Sequence, residues 1–271
     1  MRLDRVLAAR GLARSRTHAQ ALIAAGSVFI DGVVARRSSL EVTADAAIAL
    51  APTADAYVSR GAHKLIGALD AFALRGLAVA GRDCLDAGAS TGGFTQVLLE
   101  RGAASVLAID VGHGQMAPRI AADPRVTSRE GVNVRDLEPP GQGADVDLIV
   151  ADLSFISLAF AVEPLAAWLR PDGDAVLMVK PQFEVGAGRL GRGGVVRRPE
   201  DMADAVASVA RAMAAAGFGI VDVSRSLVSG PRGTVEFFVW GRRTWQAGGE
   251  ARPLDDQALL NAIEREVDRS A

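Results

Sequence analysis

Three apolar runs in the middle of the chain, from Ser105 to Asp110, Asp147 to Asp152 and Ala175 to Lys180, each close on a charged residue. A fourth ends at Asp86 and tips into Ala87-Gly88-Ala89-Ser90-Thr91-Gly92-Gly93-Phe94-Thr95. Their spacing is that of strands joined by helical crossovers, which yields a parallel sheet. In an open parallel sheet, ligands bind beyond the carboxyl ends of the strands. Asp110, Asp152 and Lys180 are therefore expected to converge on one crevice of a Rossmann-like α/β domain.

The stretch after Asp86 reads as a strand, a tight loop and a helix start. Gly88, Gly92 and Gly93 lack a Cβ, so the backbone can turn sharply and a ligand can approach it closely. A helix from Thr95 to Arg101, stopped by Gly102, would aim its free N–H groups back at that ligand. A nucleotide-like cofactor is the expected occupant. Asp110 stands where nucleotide-binding α/β domains place an acid that accepts from ribose hydroxyls. The GxSxGG spacing does not fit the GxGxxG pattern of a dinucleotide pyrophosphate site.

Further along, Pro199 opens a helix that stops at Gly217. Two runs, Ile220 to Val223 and Val235 to Trp240, flank the turn Ser229-Gly230-Pro231-Arg232-Gly233 and are expected to pair antiparallel at the sheet edge. Glu236, in the second run, is an acid whose burial demands a partner. Lys64 falls in the first turn of a helix, where a cation opposes the macrodipole. The glycine-rich loop from Gly186 to Gly194 reads as a flexible flap, with Arg189 and Arg192 placed to touch phosphates. The last segment, 246–271, is expected to hold an amphipathic helix through Leu259, Leu260, Ile263 and Val267.

The first fifty residues have another character. A short helix carrying Leu3, Val6 and Leu7 ends at Gly11. Ser15 is an N-cap for a second helix carrying Ala19, Leu22 and Ile23, with Gly26 as its stop. Asp31-Gly32 between apolar residues is a strong hairpin signal. Between Arg2 and Arg37, seven arginines (Arg2, Arg5, Arg10, Arg14, Arg16, Arg36 and Arg37) face only Asp4 and Asp31 as counter-charges. With 271 residues and 49% hydrophobic composition, the chain can hold this module and one larger domain. A net charge of -2 argues against indiscriminate coating of nucleic acid.

The expected division is a module over 1–50, a proline-broken linker over 51–58, a catalytic domain over 59–245 and a tail over 246–271. Cys84 is the only cysteine, which excludes an internal disulfide framework and a cysteine cluster for zinc. His63 and His113 have no set of further metal ligands near them in the sequence, His18 is expected at the surface, and no metal is expected. No signal peptide or spanning run is visible, so a cytoplasmic location is expected.

Two helices followed by a D-G hairpin, with GLARSR opening the second helix, resemble the S4 RNA-binding domain. By that resemblance Arg2, Arg14, Arg16 and Arg36 read structured RNA, a task for which arginine's planar fork suits phosphate. Lys64, Asp152, Lys180 and Glu236 match in order the Lys-Asp-Lys-Glu tetrad of the FtsJ-like ribose 2′-O-methyltransferases. With SRGAHKL, LDAGASTGGFT, ADLSFISL and KPQFEVG behind an S4 module, the whole chain is similar to the TlyA family, also known as haemolysins. The resemblance implies S-adenosylmethionine as cofactor, held by Asp86, Gly88, Ser90, Gly92, Gly93, Phe94 and Asp110, with Glu130 and Asn133 flanking the adenine.

The activity so implied is 2′-O-methylation of cytidine in 16S or 23S ribosomal RNA, or both, within ribosomal subunits, by a monomer. Lys180 is either the base or the group that steers the ribose oxygen, with Asp152 orienting it. Two rivals make different predictions. A membrane-lytic protein requires an amphipathic or spanning membrane segment, which the sequence lacks. An inactive RNA adaptor would not require the intact tetrad and loop.

Overall fold

The computed structural model describes residues 1–13, 15–24, 27–43, 46–50, 57–138, 141, 145–243 and 252–269. The chain divides into two compact units, Met1–Val58 and Ser59–Ala271. Arg14, the stop at Gly26 and linker residues 51–56 lie outside the described residues.

In the first unit, helices α1 (Leu3–Ala9) and α2 (Arg16–Ala24) pack together, and strands β1 (Val28–Ile30), β2 (Val33–Val34) and β3 (Ile48–Leu50) form an antiparallel sheet in the order β2-β1-β3. The Ser15 hydroxyl oxygen accepts from the His18 N–H at 3.1 Å, capping α2 as expected. Asp31 (φ 48°) and Gly32 (φ 80°) are both left-handed, as the two central positions of a tight hairpin require. Leu3, Leu7, Ala19, Ile23 and Val28 form the core.

The second unit is built on seven strands: β4 (Asp83–Ala87), β5 (Ser105–Asp110), β6 (Val126–Glu130), β7 (Val146–Ala151), β8 (Leu169–Val179), β9 (Gly219–Arg225) and β10 (Phe237–Arg242). Their order is β6-β5-β4-β7-β8-β10-β9. The first five pair in parallel, and β10 is antiparallel to both β8 and β9. The winding reverses between β4 and β7, so the ligand crevice opens there, beyond Ala87 and Ala151.

The helices are α3 (Gly61–Ala73), α4 (Gly93–Glu100), α5 (Pro118–Ala121), α6 (Val162–Ala166), α7 (Pro181–Glu184), α8 (Pro199–Ala215) and α9 (Asp256–Asp268). Side-chain alternation along β10 shows how they cover the sheet. Phe238 and Trp240 meet Phe94 of α4 and Phe72 of α3, with ring centroids 6.2 and 5.5 Å apart. Phe237 and Val239 share a core instead with Val206 and Val209 of α8 and Ile263 of α9.

The final two strands pair antiparallel at one edge of the sheet, as expected, with β10 lying between β8 and the outermost β9. One expectation needs correction. The helix after the glycine loop starts at Gly93 rather than Thr95, since Gly92 at φ 88° already turns the chain into it.

Candidate active site

Lys64 sits in the first turn of α3 and Glu236 immediately precedes β10. Their side chains meet in a buried ion pair, Nζ to Oε2 at 2.5 Å, with Glu236 only 1% exposed. This pairing explains both anomalies of the sequence, the lysine at the wrong end of a helix and the acid beside an apolar strand. Gly230 is packed against the acid so closely that a Cβ there would lie 2.3 Å from Glu236 Oε1.

A second pair forms at the crevice. Lys180, at the end of β8, places Nζ 2.6 Å from Asp152 Oδ1 and donates a hydrogen bond to Ser154 Oγ at 2.7 Å. Asp152 Oδ1 accepts no aligned hydrogen bond from any described residue, so its contact with Nζ is charge attraction and the directed bond is the one to Ser154. Lys64, Asp152, Ser154, Lys180 and Glu236 all line one cavity of about 680 Å³.

An adjoining cavity of about 490 Å³ is lined by polar Ser90, Asp110, Gln115 and Asn133 and by apolar Ile109, Val134, Leu153 and Ile156. Gly88, Ser90, Asp152 and Ser154 border both cavities. The loop between them is tightly built. Gly88 has φ 84°, and a Cβ on it would stand 2.5 Å from the Asp152 carbonyl oxygen. Ser90, at φ 46°, donates its backbone N–H to Asp110 Oδ2 at 2.7 Å. Gly112 N–H binds the other oxygen of Asp110, also at 2.7 Å.

Other expected cofactor residues play supporting parts. Asp86 is fully buried and lines neither cavity; its Oδ2 accepts from the Thr95 hydroxyl at 2.6 Å. Burial drives its carboxyl up to about 7, with Thr95 opposing and Asp152 and Asp110 adding to the rise. Gly92 turns the chain but is not in the cavity walls, whereas Gly93 and Phe94 line the tetrad cavity. Glu130 accepts the N–H groups of Gly114 at 2.7 Å and Gln115 at 3.3 Å, which lowers its pKa. It therefore fastens the loop that carries Gln115, while Asn133 does line the smaller cavity.

Gln115, Ser154 and Glu184 escaped the sequence reading. Glu184 accepts from Ser157 Oγ at 2.6 Å and from the Leu158 N–H at 2.9 Å, joining the ADLSFISL and KPQFEVG segments. Its partly buried carboxyl is raised in pKa chiefly by desolvation. Ser154 could have been picked out from its place two residues after Asp152, in the same loop.

The arginines divide into held and exposed groups. The buried carboxylate of Asp4 accepts from Arg2 Nε at 3.1 Å, Arg16 Nη2 at 3.1 Å and Gln20 Nε2 at 3.0 Å. These bonds, led by that of Arg2, hold the Asp4 carboxyl well below the usual range. Arg36 and Arg192 are exposed. Arg189 does not stand free as a phosphate finger. It pairs with Asp204 at 2.6 Å and Asp201 at 3.4 Å on α8, while Arg232 donates to the Gly193 carbonyl at 2.9 Å.

The FtsJ-like methyltransferase profile matches residues 57–243, and the S4 domain profile matches residues 1–48. The 16S/23S rRNA (cytidine-2'-O)-methyltransferase TlyA of Mycobacterium tuberculosis is 51% identical over 263 residues, covering 97% of each chain. Hemolysin A of Brachyspira hyodysenteriae is 34% identical over 88% of this chain and 98% of its own. A hemolysin-named structure from Streptococcus thermophilus superposes with a TM-score of 0.76 at 32% identity, over 100% of this chain and 95% of that one. A methyltransferase profile over the catalytic unit, an S4 profile over the leader and this near full-length identity agree: the chain belongs to the TlyA family of FtsJ-like methyltransferases.

Proposed function

We propose that the protein is an S-adenosylmethionine-dependent methyltransferase acting on the 2′-hydroxyl of cytidine in ribosomal RNA. The observation that carries this reading is the placement of Lys180 Nζ between Asp152 and Ser154, in the cavity that also holds the Lys64–Glu236 pair.

The smaller cavity suits the cofactor. Its apolar walls fit an adenine, and each Asp110 oxygen accepts one N–H from the loop and keeps lone-pair capacity for a ribose hydroxyl. Ser90, Asn133 and Gln115 add polar contacts, Gly88 borders both cavities, and Phe94 lines the tetrad cavity. S-adenosylmethionine, when bound, supplies a methyl group activated by its sulfonium.

What remains for the protein is to hold the ribose oxygen in line and remove its proton. Lys180, as the neutral amine, takes that proton on Nζ, and Asp152 stabilises the ammonium that results. Lys64, fixed by Glu236, adds a cation to the cavity that favours developing negative charge on the oxygen. In the leader, Arg2 and Arg16 are each bound on one side to Asp4 and remain about half exposed, at 41% and 52% of the side chain, to meet RNA phosphate. Intact ribosomal subunits are the proposed form of the substrate.

Lys180→Ala is expected to reduce methyl transfer to ribosomal RNA by at least ~100-fold with RNA binding retained. Turnover by that variant at the wild-type rate would refute the assignment.

A further inference from the structure

Lys180 Nζ is held by two groups of unlike character. Asp152 Oδ1 lies 2.6 Å away but off the line of a hydrogen bond, and Ser154 Oγ accepts a directed bond at 2.7 Å. A carboxylate attracts an ammonium from a wide range of directions, so alone it leaves the head group free to swivel. A hydroxyl acceptor at 2.7 Å fixes one N–H vector. We infer that Ser154 is a positioning residue for methyl transfer: it fixes the rotation of the Lys180 head group and keeps one of its valences turned to the ribose oxygen.

The inference rests on the proposed role of Lys180 and adds the group that aims it. With one N–H on Ser154 and a second drawn toward Asp152, a third tetrahedral position is left for the cavity. In the amine that position carries the lone pair that accepts the substrate proton, and in the ammonium it carries the proton accepted. Ser154 is suited to the task by its place. It is exposed, borders both cavities and sits two residues from Asp152, so one loop after β7 carries both partners of Nζ. That loop is braced at its far end, where Glu184 binds Ser157 and Leu158. No other side chain is recorded in a directed bond with Nζ among the described residues.

The test compares Ser154→Ala and Ser154→Thr with the wild type and with Lys180→Ala, measuring kcat and KM for ribosomal subunits at saturating S-adenosylmethionine, and RNA affinity separately. Loss of aim without loss of binding predicts a fall in kcat of roughly 10- to 100-fold for Ser154→Ala, with KM for RNA and RNA affinity unchanged. Ser154→Thr, which keeps the hydroxyl, is expected to restore kcat to within about threefold of the wild type. Three results would overturn the inference: wild-type kcat in Ser154→Ala, a rise in KM at constant kcat, or a loss in Ser154→Ala that threonine does not restore. If Lys180→Ala itself remains active, the reading of the site fails. If Lys180→Ala is dead while Ser154→Ala turns over normally, only the role of Ser154 fails.

Discussion

Lys64 and Glu236 are separated by 172 residues along the chain and by 2.5 Å between Nζ and Oε2. Their contact joins the first turn of α3 to the entrance of β10. Removing one partner leaves the other's charge unpaired at a largely buried position, Lys64 being 8% and Glu236 1% exposed. Lys64→Met or Glu236→Leu alone is expected to destabilise the catalytic unit by about 3–5 kcal/mol. The double substitution should recover most of that stability while leaving methyl transfer abolished. Chemical denaturation of the four members of the cycle checks this, and additive losses would show that the pair is not coupled.

A second expectation follows from Asp86. Its folded carboxyl titrates at about 7, above the unfolded value, so the folded state holds a proton that the unfolded state has released. The contribution of Asp86 to stability then falls as pH rises from about 4 toward 7, by at most about 1.4 kcal/mol per pH unit, and levels off above. Asp86→Asn keeps the shape and removes the proton. Melting curves between pH 5 and 8 should show a shallower decline in this variant, and an unchanged slope would exclude Asp86 as the source.

Gly88→Ala probes the junction of the two cavities. The added methyl would occupy a left-handed residue and press on the Asp152 carbonyl, 2.5 Å from the ideal Cβ position. The backbone term alone costs about 1–2 kcal/mol. The shift imposed on Asp152 should depress kcat and weaken S-adenosylmethionine binding together. Calorimetry with the cofactor and a turnover assay test this; a variant that binds and turns over normally would mean that the loop can yield.

Arg16 provides a reading of the leader. It shares Asp4 with Arg2 and Gln20 and is half exposed. If it neutralises one phosphate, Arg16→Ala should reduce the slope of log K against log salt for RNA binding by about 1. An unchanged slope would place its charge away from RNA.

Much of this site was legible before the fold was known, and the reason is local. A strand that ends in Asp110, Asp152 or Lys180 declares both its direction and the end at which its ligand binds, because apolar runs and their terminal charges are neighbours in sequence. The D-G hairpin at Asp31 and the Ser15 cap were legible for the same reason. Partnership across the fold was not. Nothing near Glu236 names Lys64, and nothing near Gly88 shows that the Asp152 carbonyl fills the space of its missing side chain. Glu130 looked like an adenine contact from its strand-end position; it lines neither cavity and binds the Gly114 and Gln115 amides of the neighbouring loop. Arg189 was expected to touch phosphate, and its half-exposed side chain is paired with Asp201 and Asp204 on α8. A charge pattern gives the supply of cations, and only the packing decides which are already engaged.

The most direct measurement is the chemical position of the transferred methyl group. Ribosomal subunits lacking the modification are incubated with methyl-labelled S-adenosylmethionine and the protein, and the RNA is digested to nucleosides. The label should appear as 2′-O-methylcytidine, and Lys180→Ala should leave the RNA unlabelled. Label on a base, or no label with the wild-type protein on either subunit, would contradict the assignment of this site to ribose methylation.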